Sequence, residues 1–181
     1  MKVPEERVSA ARFEELAMPL FDQLYNFARW LTQDTAEAED LVQETYAKAL
    51  RGFSSFQLGT NFRAWMYRIL RNSFLSSRTG LKTMLVLDGE SDETLLPADS
   101  TTPESLLIGR EDRESVQRAL TELPVPFREI LLLCEVEEMS YQEMAETLGI
   151  PIGTVMSRLN RARKALRDLL RKKNEGGRHG M

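Results

Sequence analysis

The sequence predicts an all-α protein of two small helical domains joined by a flexible acidic linker. Three observations lead there. Apolar residues recur at three- and four-residue steps through most of the chain, and no stretch alternates with the period of two expected of a half-buried strand. Residues 88–103, DGESDETLLPADSTTP, are acidic, polar and without aromatics, a composition that cannot build a core. Charge is also segregated: residues 1–83 carry a net +1, residues 84–150 a net −12 and residues 151–181 a net +7, within a total of −4. Segregation of this kind points to separate electrostatic tasks for separate segments. The expected units are a first domain over 10–83, a linker over 84–103 and a second domain over 104–173.

In the first domain Phe13, Leu16, Ala17, Leu20, Leu24, Phe27, Ala28 and Leu31 form one apolar helical stripe. A break follows at TQDT, where Asp34 and Glu37 have capping-box spacing. The next helix turns Ala38, Leu41, Val42, Thr45, Tyr46 and Ala49 inward, leaving Glu37, Asp40, Gln43 and Glu44 on its other face. Gly52 and SSFQLGTN mark a loop. A third helix starts near Phe62, with Trp65, Ile69, Leu70 and Phe74 able to pack. Arg63, Arg68, Arg71, Arg78 and Lys82 follow one another here without an acidic residue between them.

Past the linker, Thr102, Pro103 and Glu104 read as the cap and first turn of a helix running to about Leu123, where PVP stops it. Phe127, Ile130, Leu131 and Cys134 mark a short helix. Ser140 and Glu143 repeat the capping-box spacing, and Gly149 is placed to end the helix they open. The last helix carries Val155, Leu159, Ala162, Leu166 and Leu169 on one stripe.

Composition excludes several functions. No apolar run approaches the roughly 20 residues that span a bilayer, and MKVPEERVSAARFEEL lacks the apolar core of a signal peptide. Cys134 is the only cysteine and His179 the only histidine, which leaves no internal disulfide and no cysteine cluster for zinc. There is no glycine-rich phosphate loop. We therefore expect no catalytic residue, metal or cofactor, and a cytoplasmic location. Cys134 sits in the apolar run LLLCEV, where a small buried hydrophobe is the commoner role than a sensor. His179 lies in a polar tail expected to be disordered.

SYQEMAETLGIPIGTVMSRLNRAR has the grammar of a helix-turn-helix: a capped helix, Gly149, a short turn through Pro151 and Gly153, then a second helix from near Thr154. In this motif the second helix lies in the major groove. Thr154, Met156, Ser157, Arg158, Asn160 and Arg161 fall off its apolar stripe or at its margin. Arginine there can read a guanine edge or hold a phosphate. Lys164 and Arg167, further along, suit backbone contacts. A basic helix face is also commonly no more than solvated surface. A stand-alone helix-turn-helix regulator, acting without polymerase, satisfies the same residues.

Three motifs taken in order, DLVQETYAKAL, FRAWMYRILRNSF and SYQEMAETLGIPIGTVMSRLNRARKAL, resemble the two conserved regions of bacterial extracytoplasmic-function (ECF) sigma factors of the sigma-70 family. The resemblance extends from about Phe13 to Leu170. ARFEELAMPLFDQLY, FQLGTNFRAWMYRIL and IPIGTVMSRL further resemble the sigma-R/sigma-H group, whose usual antagonists are small zinc-containing anti-sigma proteins. Such a factor binds core RNA polymerase, through the β′ coiled coil and the β flap, and directs initiation at promoters, in this group of a stress regulon.

The resemblance also implies residue roles. Asp40, Leu41, Gln43 and Glu44 match the positions that grip the β′ coiled coil. Arg63, Arg68 and Arg71 match the cationic surface at the −10 element. Asn72, with the loop from Ser73 to Arg78, matches the pocket for a flipped-out base, a step that needs an unstacked base to be held. Trp65 falls on the core stripe, while Tyr67 suits either core or base stacking. Thr154, Met156, Ser157, Arg158, Asn160, Arg161 and Lys164 match the −35 reader. Many relatives carry a basic residue where Met156 stands.

Overall fold

Pro19 decides how the first apolar stripe folds. In the computed structural model, which describes residues 5–78 and 110–178, the stripe is shared by two helices rather than one. Helix α1 (Glu5–Ala17) gives way to a 3-10 turn, Met18–Leu20, with Pro19 in it, and α2 (Phe21–Thr32) follows. An interior proline removes a backbone donor and clashes with the preceding turn, so the helix cannot run through it. Gln33 closes α2 in the left-handed conformation (φ 59°). Asp34 then caps α3 (Thr35–Gly52), its carboxylate accepting from the Glu37 N–H at 2.9 Å.

A second 3-10 turn, Phe53–Ser55, leads to Asn61, whose side chain accepts from the Ala64 N–H at 2.9 Å and starts α4 (Phe62–Ser77). Leu24, Phe27, Ala28 and Leu31 of α2, Ala38, Val42 and Ala49 of α3, and Met66, Leu70 and Phe74 of α4 close the core, with Phe13 and Ala17 of α1. Thr45 is tolerated inside because its hydroxyl donates to the Leu41 carbonyl at 2.7 Å. Phe13, Phe53, Phe56, Phe62 and Trp65 form an edge-on and tilted aromatic cluster beside it.

The second unit holds α5 (Arg110–Glu122), α6 (Val125–Leu131), a π-helical turn over Leu132–Val136, α7 (Tyr141–Leu148) and α8 (Ile152–Arg178). Ser140 and Glu143 make both arms of the capping box, and Gly149 ends α7 at φ 67°. Val155, Leu159 and Ala162 of α8 meet Ile130 to Leu133 and Met144. No strand occurs among the described residues. The linker 84–103, the expected helix start at Thr102, Lys82 and His179 lie outside the described residues.

Arg128 joins the two units. Its buried guanidinium donates to the Leu120, Thr121 and Leu123 carbonyls at the end of α5, at 2.9–3.0 Å, and to the Trp30 and Leu31 carbonyls of α2 at 3.3–3.4 Å. Carbonyls at helix C-termini lack intrahelical donors and carry negative partial charge, so one cation serves two helix ends. Burial draws the Arg128 pKa down, with Arg78 adding to the effect.

Candidate nucleic-acid interface

The candidate polymerase face is built on α3. Asp40, Gln43 and Glu44 are exposed along one side, while Leu41 and Val42 are buried beneath them. Leu41 therefore supports the helix from inside and offers little surface. Glu44 pairs with Lys48 one turn on, and Lys48 in turn donates to Ser73 at 3.0 Å, tying α3 to α4. Tyr46, on the flank of α3, donates to the Ala17 carbonyl at 2.6 Å, and burial followed by Asp22 pushes its pKa up to about 12.

The candidate −10 residues separate into two groups on α4. Arg63, Tyr67 and Arg71, spaced four apart, share one face and turn toward the second unit. Arg63 donates to the Glu137 carbonyl at 2.7 Å and to its carboxylate at 3.2 Å. The Tyr67 hydroxyl donates to the same carboxylate at 2.6 Å, and its ring lies edge-on to Phe27 at 5.2 Å. Tyr67 is fully buried, which removes it from base stacking in this arrangement; burial, then the Glu137 bond, pushes its pKa far up. Arg71 makes a two-bonded ion pair with the buried Glu129. The other group is exposed: Arg68 and Asn72, with the Arg68 guanidinium beside Gly149 of the second unit, and Arg78, just past α4, which lies over Phe74 at 5.0 Å while pairing with Glu37 at 2.8 Å.

One expectation about this region is corrected. Ser73 was expected to begin a loop, but α4 continues to Ser77, and Ser73 is buried against Lys48. Trp65 is half-buried against Phe56 and Phe62, in keeping with its place on the apolar stripe.

On α8 the recognition face is largely open. Met156, Ser157, Asn160, Arg161 and Lys164 are exposed, and Thr154 is half-buried. Arg158 differs, being only 6% exposed; it does not share the open face. Arg163 turns toward Glu135, paired at 2.7 Å, and lies 3.7 Å from the Cys134 sulfur. Burial, then Glu135, raises the Cys134 pKa, so the thiolate needed for redox reactivity is disfavoured. Sequence reasoning missed Glu129, Glu137 and Glu143 as partners of the first domain, since nothing local marks a contact made across 58 to 82 residues.

Comparison with known proteins decides the family. Residues 16–82 match the family described as Sigma-70 region 2, and residues 113–166 match Sigma-70, region 4. The ECF RNA polymerase sigma factor EcfG of Rhodopseudomonas palustris is 36% identical over 84% of this chain and 88% of its own length. This chain belongs to the ECF sigma factors of the sigma-70 family.

Another ECF RNA polymerase sigma factor, SigE of Mycolicibacterium smegmatis, is 36% identical over 92% of this chain, which spans 65% of that relative. Among solved structures, the sigma factor RpoE of Bartonella quintana, crystallised in complex with the anti-sigma factor NepR, superposes with a TM-score of 0.66 at 32% identity. That match covers 88% of this chain and 97% of the other. As an ECF sigma factor, the chain carries its two conserved regions on the two helical units described above. Among the described residues no helix is long and apolar enough to cross a membrane, and no cluster of three or more His, Cys, Asp or Glu side chains is placed to hold a metal ion.

Proposed function

We propose that this chain binds core RNA polymerase through the exposed Asp40, Gln43 and Glu44 of α3 and directs it to promoters, performing no catalysis of its own. On this reading residues 10–83 form the polymerase and −10 domain and 104–173 the −35 domain. Arg63, Arg68, Arg71, Asn72 and Arg78 serve the −10 element. Thr154, Met156, Ser157, Asn160, Arg161 and Lys164 serve the −35 element. The observation that carries the reading is the pairing of two conserved sigma regions in one chain, each with its polar motif on a helix of the expected position. An acidic and amide face suits a basic helical partner, where charge complementarity sets specificity and encounter rate more than affinity.

An anti-sigma protein is the natural antagonist on this reading, as the similar RpoE was crystallised with one. The stand-alone regulator is not favoured, because a duplex-binding repressor has no use for a second conserved sigma region. Size-exclusion chromatography separates the two. The proposed factor co-elutes with core polymerase and binds duplex promoter DNA weakly alone. Tight duplex binding with no polymerase complex would support the regulator instead.

A further inference from the structure

Two large apolar side chains stand in water on the first two turns of α8. Met156 is 49% exposed and Ile152 41%. They are four residues apart, so one lies above the other on the helix surface. The inner stripe of the same helix, Val155, Leu159 and Ala162, is already buried, so neither residue is needed to close the core. Between them a Cβ at Gly153 would meet nothing within 4 Å, so no other part of the chain covers this end of the helix. The surroundings are polar and cationic. Ser157, Asn160, Arg161 and Lys164 are exposed alongside, and from Thr147 to Arg167 the chain holds no acidic residue.

We propose that Met156, backed by Ile152, reads the methyl group of a thymine in the −35 element, an inference that rests on the reading of α8 as the −35 helix. In a helix-turn-helix the N-terminal residues of the second helix meet the base edges. Those edges are hydrogen-bonding groups with one exception, the C5 methyl of thymine, which is the apolar feature of the major groove. A thioether donates no hydrogen bond, so Met156 cannot read a base by the polar code that serves Arg161. Its unbranched, polarizable chain does suit a small apolar target of irregular surroundings. Ile152, one turn earlier, closes the contact against water. A protein partner for this face would have to be apolar and acidic at once, whereas a duplex offers methyl groups and phosphates together.

The test uses the full chain, alone and with core polymerase, and duplexes that each selects from a randomised −35 element. Thymine should emerge at one position at least. Replacing each selected thymine in turn by deoxyuridine removes the methyl group and keeps every hydrogen-bonding edge. One such replacement should weaken binding of the parent about fourfold, the worth of one buried methyl group. In Met156→Ala that penalty should vanish, together with the thymine preference at the position. In Ile152→Ala it should fall to about twofold. Both positions are exposed, so circular dichroism should show both variants folded. The parent's response to deoxyuridine needs no variant at all. No selected thymine, no penalty in the parent, or a full penalty in Met156→Ala overturns the contact, and a full penalty in Ile152→Ala removes Ile152 from it. Run-off transcription with core polymerase on the selected promoters tests the sigma reading separately. Specific transcripts without a methyl effect sink the contact alone, whereas a methyl effect on duplex DNA without transcripts sinks the sigma reading.

Discussion

Arg71 and Glu129 lie 58 residues apart in sequence and meet in a two-bonded ion pair, with Glu129 wholly inaccessible to solvent. Arg78, just past the end of α4, pairs with Glu37, and both side chains of that pair are half exposed. The two pairs have similar lengths and different environments, and environment decides their worth.

Removing one partner of a buried pair costs roughly 3–5 kcal/mol, since the remaining carboxylate stays out of water. An exposed pair is worth about 0–1 kcal/mol because water and salt screen it. Arg71→Ala should therefore lower stability by about 3 kcal/mol, and Arg78→Ala by less than about 1 kcal/mol. Urea denaturation followed by circular dichroism measures both. Equal losses would place Arg71 in a solvated environment and count against the packed interface.

Asn72 is exposed on α4, one step round the helix from the face that meets the second unit. Its side chain is thus available to an extruded base while Arg71 beside it is engaged. Asn72→Ala should weaken open-complex formation by about 1–3 kcal/mol, the scale of a specific base contact, and change closed-complex binding less. Permanganate footprinting reads the opened strand. Normal opening in the variant would reduce Asn72 to a surface residue.

Burial separates the two arginines at the start of α8. Arg161 is exposed with Asn160 and Ser157, whereas Arg158 is 6% exposed. Arg161→Ala should change base preference at one −35 position, as loss of a bidentate contact does. Lys164→Ala should instead weaken all sequences alike and reduce the salt slope by about one. Selection from a randomised −35 element distinguishes them. An Arg161→Ala variant with unaltered preference would take that residue out of base reading.

Acid should loosen α7 through Glu143. The Ser140 backbone N–H, opposed by some desolvation and aided by Asn61, holds this carboxyl below its ordinary value of 4.5. A folded-state pKa depressed in this way contributes stability that is present above pH 4.5 and lost as pH falls below it. Glu143→Gln should flatten that part of the stability–pH curve while leaving α7 formed at neutral pH. Thermal unfolding between pH 3 and pH 7, on the order of one scan per half unit, checks it. An unchanged acid limb would show that the box contributes no pH dependence.

Local chemistry made much of this fold legible. Ser140 and Glu143 announced a capping box three residues apart and form one. Asp34 and Glu37 have the same spacing but close only half a box, because the Glu37 carboxylate is drawn away to Arg78. The distinction depends on a residue 41 positions away, which spacing cannot show. The same reason hides the burial of Tyr67 and Arg158: each has ordinary helical surroundings, and only tertiary packing decides which side is covered. Leu132–Val136 reads as plain helix from its apolar residues, yet it widens to a π turn that carries Glu137 toward Arg63. The exposed faces of α3 and α8 were legible because each helix has a clear apolar face opposite.

The most direct test of the account is run-off transcription with core RNA polymerase, comparing the parent chain with Asp40→Lys/Glu44→Lys. Both substituted positions are exposed on α3, so the fold should survive, as native circular dichroism would show. The parent chain with core enzyme should start transcripts at fixed promoter positions where core enzyme alone does not. The reversed variant should lose both those transcripts and co-elution with core polymerase. Promoter-specific transcripts from the folded variant equal to those of the parent would contradict the assignment of α3, and none from the parent itself would contradict the proposed function.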